Sequence, residues 1–302
     1  MNKRTGRNKV LVIAHDAGGA EIIAAYVKAH KEKKFSCYVQ GPAVTIFRRE
    51  HIEFKRIMNS EHAVKQVIEV HGDVEYVLLG TGWMTRIEAR ALAMAKKKGM
   101  KTVCYLESWV NYRERFGYPA KGWRRCLPDE IWVGDEYALA LAEKYFSSYS
   151  RVRFVPNQYF KNIKKRAILM RKQLPKPQGV LFLSDAVVGV EQVLEEFLQV
   201  LLGQKIIPKV ILGLHPADAR TRYDAVIKKY EPKIDIRKTR EKDLVRNLLS
   251  VETVIGAETV ALVSAFLVGK RSICVKKEGK VRRLPFREII YVSDIRKLTR
   301  LI

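Results

Sequence analysis

The sequence predicts an α/β protein of two halves, each built on a parallel sheet, with a small-molecule site in the cleft between them. Three observations carry this. The chain has 302 residues, enough for about two domains. Apolar runs of strand length alternate with helical stretches in both halves, the pattern of right-handed βαβ crossovers. Between the halves lies a basic stretch, 158–178, that ends in Pro175 and Pro177 and reads as the connection. The expected layout is an N-terminal domain over 1–157, the connection over 158–178 and a C-terminal domain over 179–302.

The elements follow in order. KVLVIAH (9–15) is a strand, DAGGA a turn, and EIIAAYVKAHKEKK a helix. SCYVQ (36–40), a short strand near Phe54, EYVLLGTG (75–82), KTVCYLES (101–108), EIWVGD (130–135) and RVRFVPN (151–157) are the further strands of this half. AVTIFRREH, EHAVKQVIEVHG, TRIEARALAMAKKKG and EYALALAEKYF are the helices between them. The second half restarts with the strand GVLFLSD (179–185) and the amphipathic helix VEQVLEEFLQVLLG. PKVILGLHPAD (208–218), IDIRK, ETVIGAE (252–258) and RSICVKK supply strands, separated by RTRYDAVIKKYE, EKDLVRNLLS and TVALVSAFLVGK. Neither internal repeats nor low-complexity segments interrupt the pattern.

Composition limits the function classes. Hydrophobic residues make up 47% of the chain, so each half can bury a core. No apolar run reaches the roughly 18–20 residues of a membrane-spanning helix. The basic start MNKRTGRNK leads straight into a strand, so no signal peptide is expected and a cytoplasmic location is. Cys37, Cys104, Cys126 and Cys274 form no CxxC pair, which fits free thiols in a reducing compartment and neither zinc nor disulfides. The formal charge of +25 calls for an anionic partner, a nucleic acid, a membrane face or an acidic substrate, or reflects solubility alone.

Ligands of open α/β sheets sit beyond the carboxyl ends of the strands, so the turns there carry the candidate chemistry. After the first strand comes His15-Asp16-Ala17-Gly18-Gly19-Ala20-Glu21. Gly18 and Gly19 allow a ligand close to the backbone, and Asp16 is placed either to act as a general base or to cap the next helix. The pattern is not GxGxxG, so a dinucleotide fingerprint is unsupported. After 101–108 comes Glu107-Ser108-Trp109-Val110-Asn111-Tyr112-Arg113-Glu114-Arg115-Phe116. Its aromatics offer stacking faces and Arg113 and Arg115 offer forks for carboxylate or phosphate. Two arginines beside three aromatics argue against a loop buried throughout. Glu107, Trp109, Asn111, Arg113 and Arg115, with Gly18 and Gly19, are the expected acceptor surface.

In the second half, Gly213-Leu214-His215-Pro216-Ala217-Asp218 places His215 at a strand tip, where Pro216 holds it extended. Gly256-Ala257-Glu258-Thr259 ends a strand and opens a helix. Its amides and the Thr259 hydroxyl are placed to grip a phosphate, or Thr259 simply caps the helix. Ser184 and Asp185 stand at the corresponding end of the half's first strand.

LGLHPAD, followed by VIGAETVALVSAFLVGKRSICV, resembles the donor-binding half of GT-B glycosyltransferases, whose fold is two Rossmann-like domains facing across a cleft. The His-Pro turn resembles that of bacterial sialyltransferases, polysialyltransferases and Kdo-type enzymes. The resemblance implies a metal-independent transferase that moves a nonulosonic acid from a CMP-sugar to a glycan or lipid-linked acceptor in surface polysaccharide synthesis. It implies Asp16 as base and His215 as phosphate contact, with Ser184, Asp185, Pro216, Gly256, Ala257, Glu258 and Thr259 around the donor. It implies no cofactor beyond the nucleotide-sugar itself and no metal. The charge of +25 fits such a transferase working on an anionic glycan or at the inner face of an anionic membrane. The pattern has one acid, Asp16, where sialyltransferases carry two, and Glu258-Thr259 where they carry a Ser/Thr pair. A UDP- or other NDP-hexose transferase is therefore the alternative. A nucleotide-sugar epimerase would need more acid/base residues in the first half than the motifs offer. A nucleic-acid module lacks any zinc, RNP-like or helix-turn-helix signature, so no nucleic acid is expected.

Overall fold

Strands and helices alternate through most of the chain in a computed structural model, which describes residues 8–82, 85–184, 189–214, 218–219, 221–239, 244–275 and 283–301. The chain divides into two units, Met1–Tyr159 and Phe160–Ile302.

Unit one contains β1 (Lys9–Ala14), α1 (Ala17–Ala29), β2 (Lys34–Val39), α2 (Pro42–Arg49), β3 (Lys55–Arg56), α3 (Glu61–Val70), β4 (Tyr76–Leu79), α4 (Ile87–Lys97), β5 (Thr102–Tyr105), β6 (Glu130–Val133), α5 (Glu136–Phe146) and β7 (Arg151–Phe154). Its seven strands run in the order β3-β2-β1-β4-β5-β6-β7, every pair parallel. Helices cover both faces of such a sheet, so the central strands β4, β5 and β6 are buried at every residue. An aromatic knot of Tyr26, Tyr76, Tyr105 and Trp132 fills one side of the sheet. Helix starts follow the capping rules where the sequence supplies a cap. Ser60 Oγ accepts from the Ala63 amide at 3.2 Å, and Asp135 Oδ1 from the Ala138 amide at 2.8 Å.

Unit two contains most of α6 (Gln158–Arg171), then β8 (Val180–Leu183), α7 (Val190–Leu202), β9 (Val210–Gly213), α8 (Asp224–Tyr230), β10 (Ile236–Lys238), α9 (Leu244–Leu249), β11 (Thr253–Gly256), α10 (Val260–Leu267), β12 (Arg271–Val275) and β13 (Ile290–Val292). The strand order is β10-β9-β8-β11-β12-β13, again parallel throughout. Phe182 of β8 and Phe197 of α7 stack at 5.7 Å and are fully buried at the centre of this core. The basic helix expected as a connection groups with unit two from Phe160 onward. It buries Phe160, Ile163 and Ala167 and leaves its lysines outside.

One local reading changes. Gly18 and Gly19, expected in a turn, lie in the first turn of α1, which opens at Ala17. Their lack of side chains serves close packing: a Cβ on Gly18 would meet Glu107 Cγ at 3.0 Å, and one on Gly19 would meet the Gly80 backbone at 3.5 Å. The four cysteines are free, with Cys37, Cys104 and Cys274 buried and Cys126 exposed. Among the described residues, no helix is long and apolar enough to cross a membrane.

Candidate functional site

A doubly wound sheet has its ligand crevice where the strand order reverses direction. In unit one the reversal falls between β1 and β4. The turn after β1 carries His15 and Asp16, and the chain leaving β4 carries Gly80, Thr81 and Gly82. Next to β4 lies β5, whose following turn supplies Glu107. The fold therefore gathers Asp16 and Glu107 at one edge of one sheet, from residues 91 apart in the chain.

Asp16 stands at the N-cap position of α1, yet its side chain makes no capping hydrogen bond. It turns instead to His15, whose Nδ1 lies 2.6 Å from Asp16 Oδ1. With Asp16 ionised, that nitrogen carries the proton. The other ring nitrogen, Nε2, faces Gly41, where a Cβ would fall 2.5 Å away. Gly41 has φ +57°, so both the contact and the backbone call for glycine. The Asp16 carboxyl also lies against Gly82, whose missing Cβ would fall 2.5 Å from Asp16 Cγ.

A third carboxyl joins this pair from α4. Glu88 is 3% exposed, and its Oε1 accepts the His15 backbone N–H at 3.0 Å. A Cβ on Gly80 would sit 2.5 Å from that same oxygen. Glu88 Oε2 is buried without a well-formed hydrogen bond. Burial, reinforced by the charges of Asp16 and Glu107, pushes the Glu88 carboxyl up to about 8. Three carboxyls thus each rest against a glycine: Asp16 on Gly82, Glu88 on Gly80 and Glu107 on Gly18.

Glu107 is anchored by Arg115. The guanidinium meets Glu107 Oε1 at 2.5 Å, Thr81 O at 2.8 Å and Thr81 Oγ1 at 2.9 Å, while Thr81 Oγ1 donates to Glu107 Oε2 at 2.8 Å. The Arg115 side chain is buried among these groups. The expectation of an open aromatic and basic acceptor surface is corrected here. Trp109, Tyr112 and Phe116 are all buried. Trp109 Nε1 donates to Asp135 Oδ2 at 2.9 Å, and burial raises the Asp135 carboxyl above the usual range. Tyr112 stacks with Phe146 of α5. The rings hold the loop down, because α5 presents an aromatic face for them to pack on. Arg113 lies over the Tyr118 ring at 4.0 Å, and Asn111 takes a left-handed turn at φ 57°.

Unit two repeats the arrangement with different chemistry. Its reversal falls between β8 and β11, where Ser184 follows β8 and Gly256 ends β11. Ser184 Oγ donates to Asp218 Oδ2 at 2.5 Å, Asp218 Oδ1 meets Arg222 at 2.5 Å, and Arg222 reaches on to Glu191. Asp218 is almost wholly buried, its side chain 1% exposed. Gly256 packs on β8, its missing Cβ 3.1 Å from Leu183 Cβ. Thr259 caps α10, Oγ1 accepting from the Ala261 amide at 3.4 Å. Glu258 Oε1 accepts the Arg283 amide at 2.6 Å, and Ala257 lies in the turn between. Asp185, His215 and Pro216 lie outside the described residues.

The motifs passed over Glu88 and Thr81, and named His15 without giving it a role. For Glu88 a signal exists. It shares its helix stripe with Ala91, Leu92 and Ala95, the spacing of one face, and those three are core residues. An acid at that position is a polar group on an apolar face.

No family model matches the chain, and no curated protein does. Solved structures resemble it. HepE from Anabaena, crystallised in complex with UDP and glucose, superposes with a TM-score of 0.67 at 12% identity over 98% of this chain and 89% of that one. MnaA from S. aureus, solved with UDP, gives 0.66 at 15% identity over 89% and 79%. The UDP-GlcNAc 2-epimerase from Neisseria meningitidis bound to UDP-GlcNAc gives 0.61 at 14% over 91% and 84%. At these identities the likeness shows the fold, and the chain carries the two Rossmann-like units of the GT-B plan.

Proposed function

We propose that the chain is a nucleotide-sugar enzyme, a GT-B glycosyltransferase whose acid–base chemistry resides in unit one. The observation that carries the reading is Asp16, a carboxylate at the sheet reversal that is oriented by His15 and not spent on capping. In the proposed step Asp16 takes the proton of an acceptor hydroxyl, and the oxygen attacks the anomeric carbon. The bond from that carbon to the nucleotide phosphate breaks, and the phosphate leaves with the electron pair. The amides at the start of α10, with Thr259, and His215 offset the charge on the leaving group. Gly256, Ala257 and Glu258 border that phosphate site, and Ser184 and Asp185 complete it.

The donor is read as a UDP-sugar in preference to a CMP-activated nonulosonic acid, because the similar structures of HepE, MnaA and the Neisseria epimerase hold UDP or UDP-GlcNAc. An anionic glycan or lipid-linked acceptor fits the +25 charge. On α6, Lys161, Lys164, Lys165 and Arg166 are exposed together with Ile168 and Leu169, a composition that suits an anionic membrane surface. A thermal-shift panel of UDP, UMP, CMP, CDP, GDP and NAD tests the reading, since ligand binding to the native state raises its stability. UDP is expected to give the largest shift. A CMP preference returns the donor to the nonulosonic class, and no shift with UDP, UMP, CMP, CDP or GDP overturns the function.

A second reading is favoured by one observation. Glu88 and Glu107 beside Asp16 supply the further acid/base groups that an epimerase requires and the motifs did not offer. Incubation with UDP-GlcNAc in D₂O without acceptor separates the two. Deuterium in recovered epimer supports the epimerase, and transfer only with an added acceptor supports the transferase.

A further inference from the structure

We propose that Glu88 is the positioning residue of this site, gripping the β1 turn from beneath and setting the charge against which Asp16 works. The inference rests on the function proposed above for Asp16, and it concerns a residue that neither the motifs nor that mechanism uses.

The geometry is specific. Glu88 projects from the first turn of α4 into the space under the β1 turn, where its Oε1 accepts the His15 amide. His15 in turn holds Asp16 through Nδ1. The route from Glu88 to Asp16 is thus one backbone hydrogen bond and one side-chain hydrogen bond. Gly80 and Gly82 seat the two carboxyls two residues apart on the chain leaving β4. Glu88 Oε2 is buried without a well-formed hydrogen bond, and the Gly82 backbone amide also acts on the carboxyl. A buried, poorly paired carboxylate costs far more than the neutral carboxyl does. The charged groups around it agree. Asp16 and Glu107 disfavour a third negative charge, and the Arg115 guanidinium is committed to Glu107. The buried Cys104 thiol of β5, which also senses Glu88, is itself pushed up by burial and carries no charge to help. The consequence is that Glu88 keeps its proton near neutral pH and adds no charge beneath the turn. When Glu88 ionises on the alkaline side, a charge enters beneath the turn and the arrangement is lost.

Glu88→Gln keeps the acceptor for the His15 amide and is neutral at every pH. Donor turnover should fall no more than about threefold at pH 7 in this variant, and the alkaline decline of kcat expected of the parent near pH 8 should be absent from it. Glu88→Ala, which removes the acceptor, should lower kcat ten- to a hundredfold with little change in KM for the donor. Gly80→Ala, which drives a methyl group into Glu88 Oε1, should mimic it. An infrared pH titration read on the carboxyl carbonyl band supplies a readout independent of turnover. The parent should lose one protonated carboxyl between about pH 7 and 9, and Glu88→Gln should not. If Glu88→Gln is as impaired as Glu88→Ala at pH 7, or if the infrared difference shows no such carboxyl, the proposal is overturned. If the carboxyl titrates as expected but Asp16→Asn leaves turnover intact, the proposed function of Asp16 fails while the proton on Glu88 stands.

Discussion

Asp16 and Gly82 fit together as carboxyl and vacancy: a Cβ on residue 82 would lie 2.5 Å from Asp16 Cγ and 2.6 Å from Oδ2. The glycine is therefore part of what aims the acid. Gly82→Ala should swing the Asp16 side chain away while the sheet stays intact, because the atoms displaced belong to the end of a side chain. Turnover should fall about a hundredfold or more, as misplaced catalytic groups do. The melting temperature should change by only a few degrees. A variant that keeps near-normal turnover would show that Asp16 need not hold this position.

Asp16→Asn keeps the size of the side chain but cannot take a proton. Turnover should drop roughly 10²- to 10⁴-fold, the usual range for a lost general base. Nucleotide affinity, measured by calorimetry, should hardly change. Since the Asp16 side chain makes no capping hydrogen bond to α1, the melting temperature should stay close to that of the parent.

Glu88 makes stability depend on pH. Its folded value, about 8, is raised above the roughly 4.3 of an exposed glutamate, so the folded state binds the extra proton. The stabilisation is complete below about pH 4.3 and is lost as pH rises through about 8, with a limiting slope near 1.4 kcal/mol per pH unit. Melting curves of the parent and of Glu88→Gln between pH 5 and 9 should diverge, with the glutamine variant gaining on the parent as pH rises. Parallel curves would count against a buried neutral carboxyl.

In unit two, Arg222 neutralises a carboxylate, Asp218, whose side chain is 1% exposed. Breaking such a pair from one side leaves a buried charge and costs about 3 kcal/mol. Arg222→Ala should show that loss in urea denaturation. The double variant with Asp218→Asn should recover part of it, and strict additivity of the two changes would mean that the pair is not coupled.

Binding to anionic vesicles should be measurable at low salt and fall as salt rises, with neutral vesicles left unbound. The motive is the exposed row Lys161, Lys164, Lys165 and Arg166 on α6. At roughly 1 kcal/mol per basic residue near the surface, reversing Lys161, Lys164 and Lys165 to glutamate should abolish sedimentation with the vesicles. Equal binding to both lipid types would point to the exposed Ile168 and Leu169 alone.

The fold was legible because its signal is periodic. Each expected strand of the first half, from Lys9 to Phe154, matches an observed strand, and Thr253–Gly256 and Arg271–Val275 fall where the second half calls for them. The position of Asp16 was legible for the same reason: the end of β1 in a parallel sheet is a place that topology alone defines. The state of its surroundings was not. That His15 pairs with Asp16, and that Glu88 reaches them from residues 73 and 72 further on, depends on how α4 packs under the sheet. The loop after Glu107 misled for a related reason. Its composition, aromatic and basic, is that of a binding surface and equally that of a loop pinned by α5. Only the partners of Trp109, Tyr112 and Arg115 distinguish the two.

The two units share a strand order, with unit one adding a single edge strand, and each reverses beside its own first strand. That repetition has an evolutionary reading. Each half is a compact unit with its own sheet reversal, so a recombination point between Tyr159 and Phe160 would exchange one reversal and leave the other's architecture whole. Under the proposed function, nucleotide preference and acid–base chemistry would then be inherited separately, and a lineage could change its donor by replacing a half instead of rebuilding a catalytic centre.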